Sequence, residues 1–441
     1  MTIYSRWRRL IRPSGFIGSS GIYLFGSVAN SLLPLALVPI FTRYLTPEDY
    51  GLNATALILM NFFVIGQGLN SYGLVTRNYF DQDSLGLVGL VSTTVWYAVV
   101  SSIVLLLCLP LGLGSLIARV SEFPSEWLWA VVVLGLFMVL QNTYRVLLQA
   151  RREPWHFVFN QTLVTIVSSG VGLWLVVGQG WDWRGRLIGL LLGGCIVSFA
   201  CLYGLKFRLR LLTFSFSAKY FRAILHFGVP LIPHILGGWV MTMSSRIFLN
   251  KMASVADAGF FSLAFSLVAP LIMLIGSVQK TYQPWLFQKL ANPGSFDPLK
   301  LCRSLIIACC LIMLGGVGFG VLGVLVLPYI AGPNFVLAGP YIFWLSLATA
   351  FSGVYFVFGS FVIFSKRTSL MAWRADFLGG LVVLVACPLM ILAIGPIGAA
   401  IANCLGFAAT TIGCISAARI AYPMPWGKAL KSFVWWSRRD R

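Results

Sequence analysis

The chain has 441 residues, of which 59% are hydrophobic and only 10% are charged, with a formal net charge of +20 and a mean hydropathy of +0.87. Soluble domains carry about 25% charged residues, so this composition excludes an ordinary soluble protein and indicates a chain whose solvent is lipid. The apolar stretches lack strand-like alternation, which argues against a membrane β-barrel.

Apolar stretches long enough to cross a membrane follow one another along almost the whole chain. A membrane-spanning helix needs about 20 mostly apolar residues. By this criterion we predict twelve spans. They lie at residues 18–42, 52–76, 86–110, 127–150, 156–178, 187–206, 222–248, 257–283, 302–328, 337–364, 370–393 and 396–420.

The basic residues orient these spans. With the amino terminus placed in the cytoplasm, 26 of the 32 Lys and Arg fall on the cytoplasmic side, which follows the positive-inside rule. We therefore predict that both termini are cytoplasmic. The basic clusters are expected to contact anionic membrane lipids. Nucleic acid is not expected as a partner, because the charges are scattered over many short loops. The six remaining basic residues are Arg43, Arg119, Arg184, Arg186, Arg246 and Lys251.

The loops are too short to hold a soluble catalytic domain. The sequence has no metal-ligand cluster, nucleophile elbow or phosphate-binding glycine loop. Its nine cysteines lie in or beside apolar segments, where we interpret them as small buried hydrophobic residues. We therefore predict a protein that is not an enzyme and that has no cofactor and no metal.

A weak internal repeat divides the chain into two halves of six spans. The first and seventh spans share an order of features: a Phe-Gly pair, two prolines, an arginine, and an Asp-x-Gly turn before the next apolar run. We predict an all-α membrane protein with an N-terminal lobe (1–210) and a C-terminal lobe (211–441), related by a pseudo-two-fold axis along the membrane normal. The shared features are Phe25-Gly26, Pro34, Pro39, Arg43 and Asp49 in the first half, and Phe227-Gly228, Pro230, Pro233, Arg246 and Asp257 in the second.

Two motifs and this organisation resemble a known family over residues 16–420. The first span ends in "FTRYLTPEDYGLNATAL", and the seventh leads into the eighth through "RIFLNKMASVADAGFFSLAFSLVAP". Both look like the polysaccharide transporter family of O-antigen and exopolysaccharide flippases. That family belongs to the superfamily of multidrug, oligosaccharidyl-lipid and polysaccharide exporters.

The resemblance implies a mechanism and partners. It implies a V-shaped cavity between two lobes in the bacterial inner membrane, alternating access, and an oligosaccharide on undecaprenyl pyrophosphate as the cargo. A polysaccharide polymerase and chain-length machinery are partners that the resemblance suggests.

Six basic residues are candidates for contact with the substrate, because guanidinium and ammonium groups bind phosphate oxygens. Two of them close kinked spans at the outer side, and four lie at inner ends of spans. The alternative interpretation is that each one reaches the lipid headgroups as an anchor. The outer pair is Arg43 and Arg246, and the inner set is Arg77, Arg145, Lys280 and Arg374.

Polar residues and prolines inside the spans are further candidates. Polar side chains in a membrane are costly and usually face a cavity or another helix. Gln141, Asn142, Gln161 and His234 are the cavity candidates, and contact between helices is the alternative. Prolines kink helices. Pro34, Pro39, Pro230 and Pro233 are therefore gating candidates, although membrane helices also tolerate proline without such a role.

Two other functions remain open from the sequence. A cation-coupled multidrug exporter would need a carboxylate deep in a lobe, whereas the acidic residues fall in loops or at helix ends, apart from Asp376 near the inner end of the eleventh span. A polysaccharide polymerase or ligase would carry a sizeable outer loop, and the outer loops of this chain are short. Both observations favour the flippase.

Overall fold

The computed structural model describes residues 16–79, 84–151, 153–213, 215–291, 294, 296–365 and 372–429. Helices account for most of these residues, and no strand occurs among them. The chain divides into two compact units, Met1–Trp239 (unit 1) and Val240–Arg441 (unit 2). The predicted lobe boundary at residue 210 was drawn from the sequence repeat, and it stays a prediction.

Unit 1 contains nine described α-helices and the start of a tenth. They are α1 (Phe16–Tyr44), α2 (Pro47–Gly68), α3 (Ser71–Tyr79), α4 (Ser84–Cys108), α5 (Gly114–Ser121), α6 (Leu128–Ala150), α7 (Pro154–Leu173), α8 (Trp183–Tyr203), α9 (Ala218–Gly228) and α10 (Ile232–Met252), which crosses into unit 2. Turns of π geometry at Leu109–Leu113, Trp174–Gly178 and Gly204–Arg208 extend α4, α7 and α8, respectively.

Unit 2 continues with five longer helices. They are α11 (Val255–Ala291), α12 (Pro298–Ile330), α13 (Gly339–Phe364), α14 (Leu378–Ile394) and α15 (Gly398–Ala421). Each unit has its own apolar core. In unit 1, Leu90, Leu147 and Val197 join α4, α6 and α8. In unit 2, Cys302, Phe361 and Ala417 join α12, α13 and α15.

Ten stretches of the described helices are long and apolar enough to cross a membrane, and they coincide with ten of the twelve predicted spans. The other two predicted spans correspond to α1 and to the pair α9 and α10. The predicted fold class, an all-α polytopic membrane protein with about twelve spans, is confirmed.

The predicted second span, 52–76, is not one helix. In the structure α2 begins earlier, at Pro47, and ends at Gly68, before α3 begins at Ser71. Leu69 and Asn70 adopt left-handed backbone angles, with φ of 42° and 51°. Asn tolerates this region, whereas it is unfavourable for Leu. Hydropathy does not report backbone angles, so the break was not visible in the sequence.

The predicted seventh span, 222–248, is also interrupted. A short 3₁₀ turn at Val229–Leu231 separates α9 from α10. Pro230 lies in this turn, where its missing N–H and fixed φ break the helix. Gly228 ends α9 against the backbone carbonyl of Leu69, where a side chain would clash. The break therefore lies where α9 meets the end of α2.

The polar segment after α1 is a helix cap. Asp49 N–H donates to Thr46 Oγ1 at 3.1 Å, and Thr46 N–H donates to Asp49 Oδ2 at 3.0 Å. Unit 2 has the same arrangement, because Asp257 N–H donates to Ser254 Oγ at 3.1 Å before α11. Such caps satisfy backbone donors that have no partner inside the helix. The two caps give a common register in which the units can be compared.

Candidate functional site

Arg145 is the sequence-predicted basic residue that lies inside a membrane span of unit 1. It sits half-buried in α6, five residues before that helix ends. Its Nη2 donates to Asn142 Oδ1, one turn earlier, at 2.9 Å. Among the described residues no carboxylate forms an ion pair with Arg145. The site therefore holds a cation whose observed partner is a neutral amide.

Gln141 contacts a neighbouring helix. It is 5% exposed, and its Nε2 donates to Gly194 O and to Ser198 Oγ, both at 3.2 Å and both on α8. Of the two interpretations left open by the sequence, the structure shows the contact between helices. The amide joins α6 to α8 next to the position of Arg145.

Gln161 lies on α7 beside a second polar contact between helices. Asn30 of α1 donates to Thr162 Oγ1 at 2.9 Å and accepts from Thr165 Oγ1 at 3.0 Å, which joins α1 to α7. Gln161 itself is half-buried, and its Oε1 has no hydrogen-bond partner among the described residues. A buried acceptor of this kind is costly, so Gln161 stays a candidate for contact with a ligand.

Arg246 of unit 2 is buried, with an exposed fraction of 7%. Its guanidinium carbon lies 4.6 Å from the ring centre of Phe265 and 5.6 Å from that of Phe261, both on α11. Contacts of a guanidinium with aromatic faces are favourable, and more so away from water. This environment differs from that of a headgroup anchor.

Arg43 and Arg246 do not occupy matching positions, contrary to the sequence-based pairing. Arg43 lies three residues before the cap residue Thr46 and is exposed. Lys251 lies three residues before the cap of unit 2 and is also exposed. Arg246 lies five residues further back, in the register of the buried Val38. The repeat therefore pairs Arg43 with Lys251.

The remaining basic and polar candidates lie apart from Arg145 in the chain. Arg77 is exposed in the last turn of α3, and Arg374 is exposed in the π-helical turn Ala372–Phe377 before α14. His234 lies in α10 and Lys280 in α11, but both side chains fall outside the described part of the structure. Their contacts with substrate remain predictions.

The four proline candidates differ in local structure. Pro34 and Pro39 lie within the uninterrupted helix α1. Pro230 lies in the turn that separates α9 from α10, and Pro233 is the second residue of α10. Proline is well tolerated in the first turn of a helix. Gating by these prolines remains a prediction.

The sequence did not single out Arg186 as a structural residue. Its guanidinium carbon lies 4.9 Å from the ring centre of Phe41 and 5.0 Å from that of Tyr50, so it joins α8 to α1 and α2. The partners come from distant parts of the chain, so no local pattern could have indicated this contact.

No group of three His, Cys, Asp or Glu that could hold a metal occurs in the described ranges.

Comparison with known proteins agrees with this architecture. Residues 17–289 match the family model described as polysaccharide biosynthesis protein. A protein of the Lsg locus of Haemophilus influenzae is 23% identical over 359 residues, which cover 80% of this chain and 86% of the relative.

Two solved structures share the fold. The lipid II flippase MurJ in an inward closed conformation aligns with a TM-score of 0.73 at 14% identity, covering 89% of this chain and 86% of MurJ. An inward-facing multidrug resistance MATE transporter of the MOP superfamily gives a TM-score of 0.62 at 15% identity, covering 88% of this chain and 94% of the transporter.

The family match covers more than half of the chain, and the helical spans are those of a multi-pass membrane protein. The fold is the one shared by MurJ and the MATE transporters. This chain belongs to the polysaccharide biosynthesis protein family, as a multi-pass membrane protein with the fold of MurJ and the MATE transporters.

Proposed function

We propose that the protein is a flippase that moves an oligosaccharide linked to undecaprenyl pyrophosphate across the bacterial inner membrane. Alternating access is the proposed mechanism, and O-antigen, capsule or exopolysaccharide synthesis is the process served. Membership of the polysaccharide biosynthesis family supports the sugar cargo. The fold shared with a lipid II flippase supports transport of a lipid-linked substrate.

Arg145 is the observation that carries the proposal. It lies inside the span Ser125–Ala150, about 7.5 Å from the Ala150 end at 1.5 Å per residue. A cation inside a membrane span is costly, and usually serves a substrate or ion pathway when it is retained. Since its observed partner is the neutral amide of Asn142, the guanidinium keeps donors for a phosphate oxygen. Arginine stays charged away from water and binds phosphate with two donors at once.

The other candidates have separate roles in this proposal. Arg77, Lys280 and Arg374 attract the pyrophosphate at the inner side, and Arg43 contacts it during release at the outer side. Pro34, Pro39, Pro230 and Pro233 allow the first and seventh spans to bend. Gln161, with its buried acceptor, contacts sugar hydroxyls. The polymerase and chain-length machinery receive the product.

The described acidic residues favour this proposal over a cation-coupled multidrug exporter. Asp376 lies only two residues inside the span Arg374–Ile394, and its Oδ1 accepts a hydrogen bond from Tyr355 Oη at 3.2 Å. It is therefore a carboxylate at a helix end with a structural partner. An exporter driven by cations would need a carboxylate deep in a lobe.

The proposal predicts a specific effect of removing the Arg145 charge. A hydrogen bond to a charged group contributes about 1.5–3 kcal/mol, so Arg145→Ala should lower transport about 10- to 150-fold. Arg145→Lys should keep part of the activity, because the charge remains and the paired donors are lost. The measurement is the amount of surface polysaccharide in a strain that lacks its own flippase, at matched protein levels.

Arg222→Ala is the matched control, because Arg222 is an exposed basic residue of α9. It should support polysaccharide export at the level of the unchanged protein. Equal export by the Arg145→Ala and Arg222→Ala variants would show that Arg145 is only a headgroup anchor, and the proposed role in phosphate binding would be wrong.

A further inference from the structure

An apolar groove runs along the surface of unit 2 between α11, α12 and α13. It encloses about 470 Å³. Leu271 and Trp285 line it from α11, Ser304, Ala308 and Gly315 from α12, and Phe356 from α13. The site proposed above for Arg145 lies in unit 1, so this groove is a separate feature.

The groove is shorter than the full thickness of the membrane. Along α12 its lining extends from Ser304 to Gly315, eleven residues later. At 1.5 Å per residue this is about 16 Å, and the α11 wall from Leu271 to Trp285 is about 21 Å long. Both lengths are below the hydrocarbon thickness of about 30 Å. The groove therefore begins near the loop between α11 and α12 and ends at Gly315, close to the middle of α12.

Two glycines of α12, Gly315 and Gly318, differ in whether they line the groove. A methyl group placed on Gly315 would meet no atom within 4 Å, so this residue leaves the deep end of the groove open. Gly318, one turn later on the same helix, is equally unobstructed but does not line the groove. Larger side chains should be accepted at both positions, and only the one at Gly315 would enter the groove.

Positive charge lies at the loop end of the groove, on both of its long walls. Lys300 precedes Ser304 by one helical turn on α12, in the same row as Ala308 and Gly315. Lys289 follows Trp285 by one turn on α11, and its Nζ lies 4.7 Å from the Trp285 ring centre. The nearby acid, Asp297, accepts from the backbone N–H of Leu299 as the cap of α12.

We propose that this groove binds one anionic phospholipid of the leaflet that meets the α11–α12 loop. One acyl chain lies along Ala308 and Gly315, and the phosphate lies between Lys289 and Lys300. Basic pockets between membrane helices on the cytoplasmic side are known binding sites for anionic headgroups. A groove shorter than the membrane is thick favours a bilayer phospholipid over the long polyprenyl carrier.

The test is native mass spectrometry of the full chain, titrated with phosphatidylglycerol. The unchanged protein should retain one phosphatidylglycerol more tightly than phosphatidylcholine, by about fivefold for each lysine. Gly315→Leu should lose this tightly held lipid, and Gly318→Leu should keep it. The double variant Lys289→Gln and Lys300→Gln should bind the two phospholipids equally.

Three results would overturn the inference. These are equal retention of the two phospholipids by the unchanged protein, unchanged phosphatidylglycerol binding in Gly315→Leu, and preferential binding of undecaprenyl phosphate over phosphatidylglycerol. The last result would assign the groove to the carrier lipid. Because the readout is bound mass, its outcome is independent of whether the protein transports an oligosaccharide.

Discussion

The close contact between α7 and α8 predicts that a single added methyl group will destabilise unit 1. A methyl on Gly189 would lie 2.6 Å from Ser168 O and 2.6 Å from Gly172 N. Both are backbone atoms, which cannot turn away as a side chain could. The two helices would have to separate before Gly189→Ala could be accommodated.

The size of the effect follows from these distances. The added carbon is about 0.8 Å short of the 3.4 Å at which ordinary contact begins. Overpacking of this kind costs about 1–3 kcal/mol. A loss of 1 kcal/mol lowers Tm by about 2–4 °C for a domain of 150–250 residues, so we expect a decrease of about 2–12 °C. Thermal unfolding of the purified protein, followed by size-exclusion chromatography, measures it.

Gly170→Ala provides the matched control on α7. A methyl at Gly170 would meet no atom within 4 Å, and alanine favours the helix over glycine. Its Tm should therefore equal or slightly exceed that of the unchanged protein. If Gly189→Ala and Gly170→Ala had the same Tm, the close packing of α7 on α8 would be refuted.

Three further predictions concern the buried arginine, the cap of α2 and the topology. Arg246→Ala should lower the free energy of unfolding by about 1–3 kcal/mol in thermal unfolding, because two aromatic contacts are lost. Arg43→Ala should change it by less than about 0.5 kcal/mol. Equal effects would contradict the different burial of the two residues. Thr46→Ala should cost about 1 kcal/mol through loss of the α2 cap, and an unchanged Tm would count against that cap. Reporter fusions after Arg152 and after Arg441 should both report the cytoplasm, and a periplasmic signal from either would overturn the predicted orientation.

The number and order of the spans could be predicted from the sequence because hydropathy is a local property. The interruptions could not. The break after Gly68 depends on left-handed backbone angles at Leu69 and Asn70. The break at Pro230 could have been expected from proline alone, but the paired prolines suggested bending of one helix rather than two helices.

The environment of the candidate residues was less predictable than the helices. Arg43 and Arg246 look equivalent when features are compared in order, and only the caps at Thr46 and Ser254 reveal the true register. Gln141 could have faced a cavity or a neighbour, and its partners on α8 lie more than fifty residues away in sequence. Tertiary contacts between distant segments decide such questions.

Transport by the purified protein tests the central claim most directly. The protein would be reconstituted in liposomes with undecaprenyl-pyrophosphate oligosaccharide, and the fraction of sugar headgroups reached by an external glycosidase would be followed over time. Our account predicts that headgroups from the inner leaflet become accessible with the unchanged protein and much more slowly with Arg145→Ala. The assignment as a flippase would be wrong if the headgroups stayed inaccessible and the protein instead exported an amphipathic cation, driven by a proton or sodium gradient.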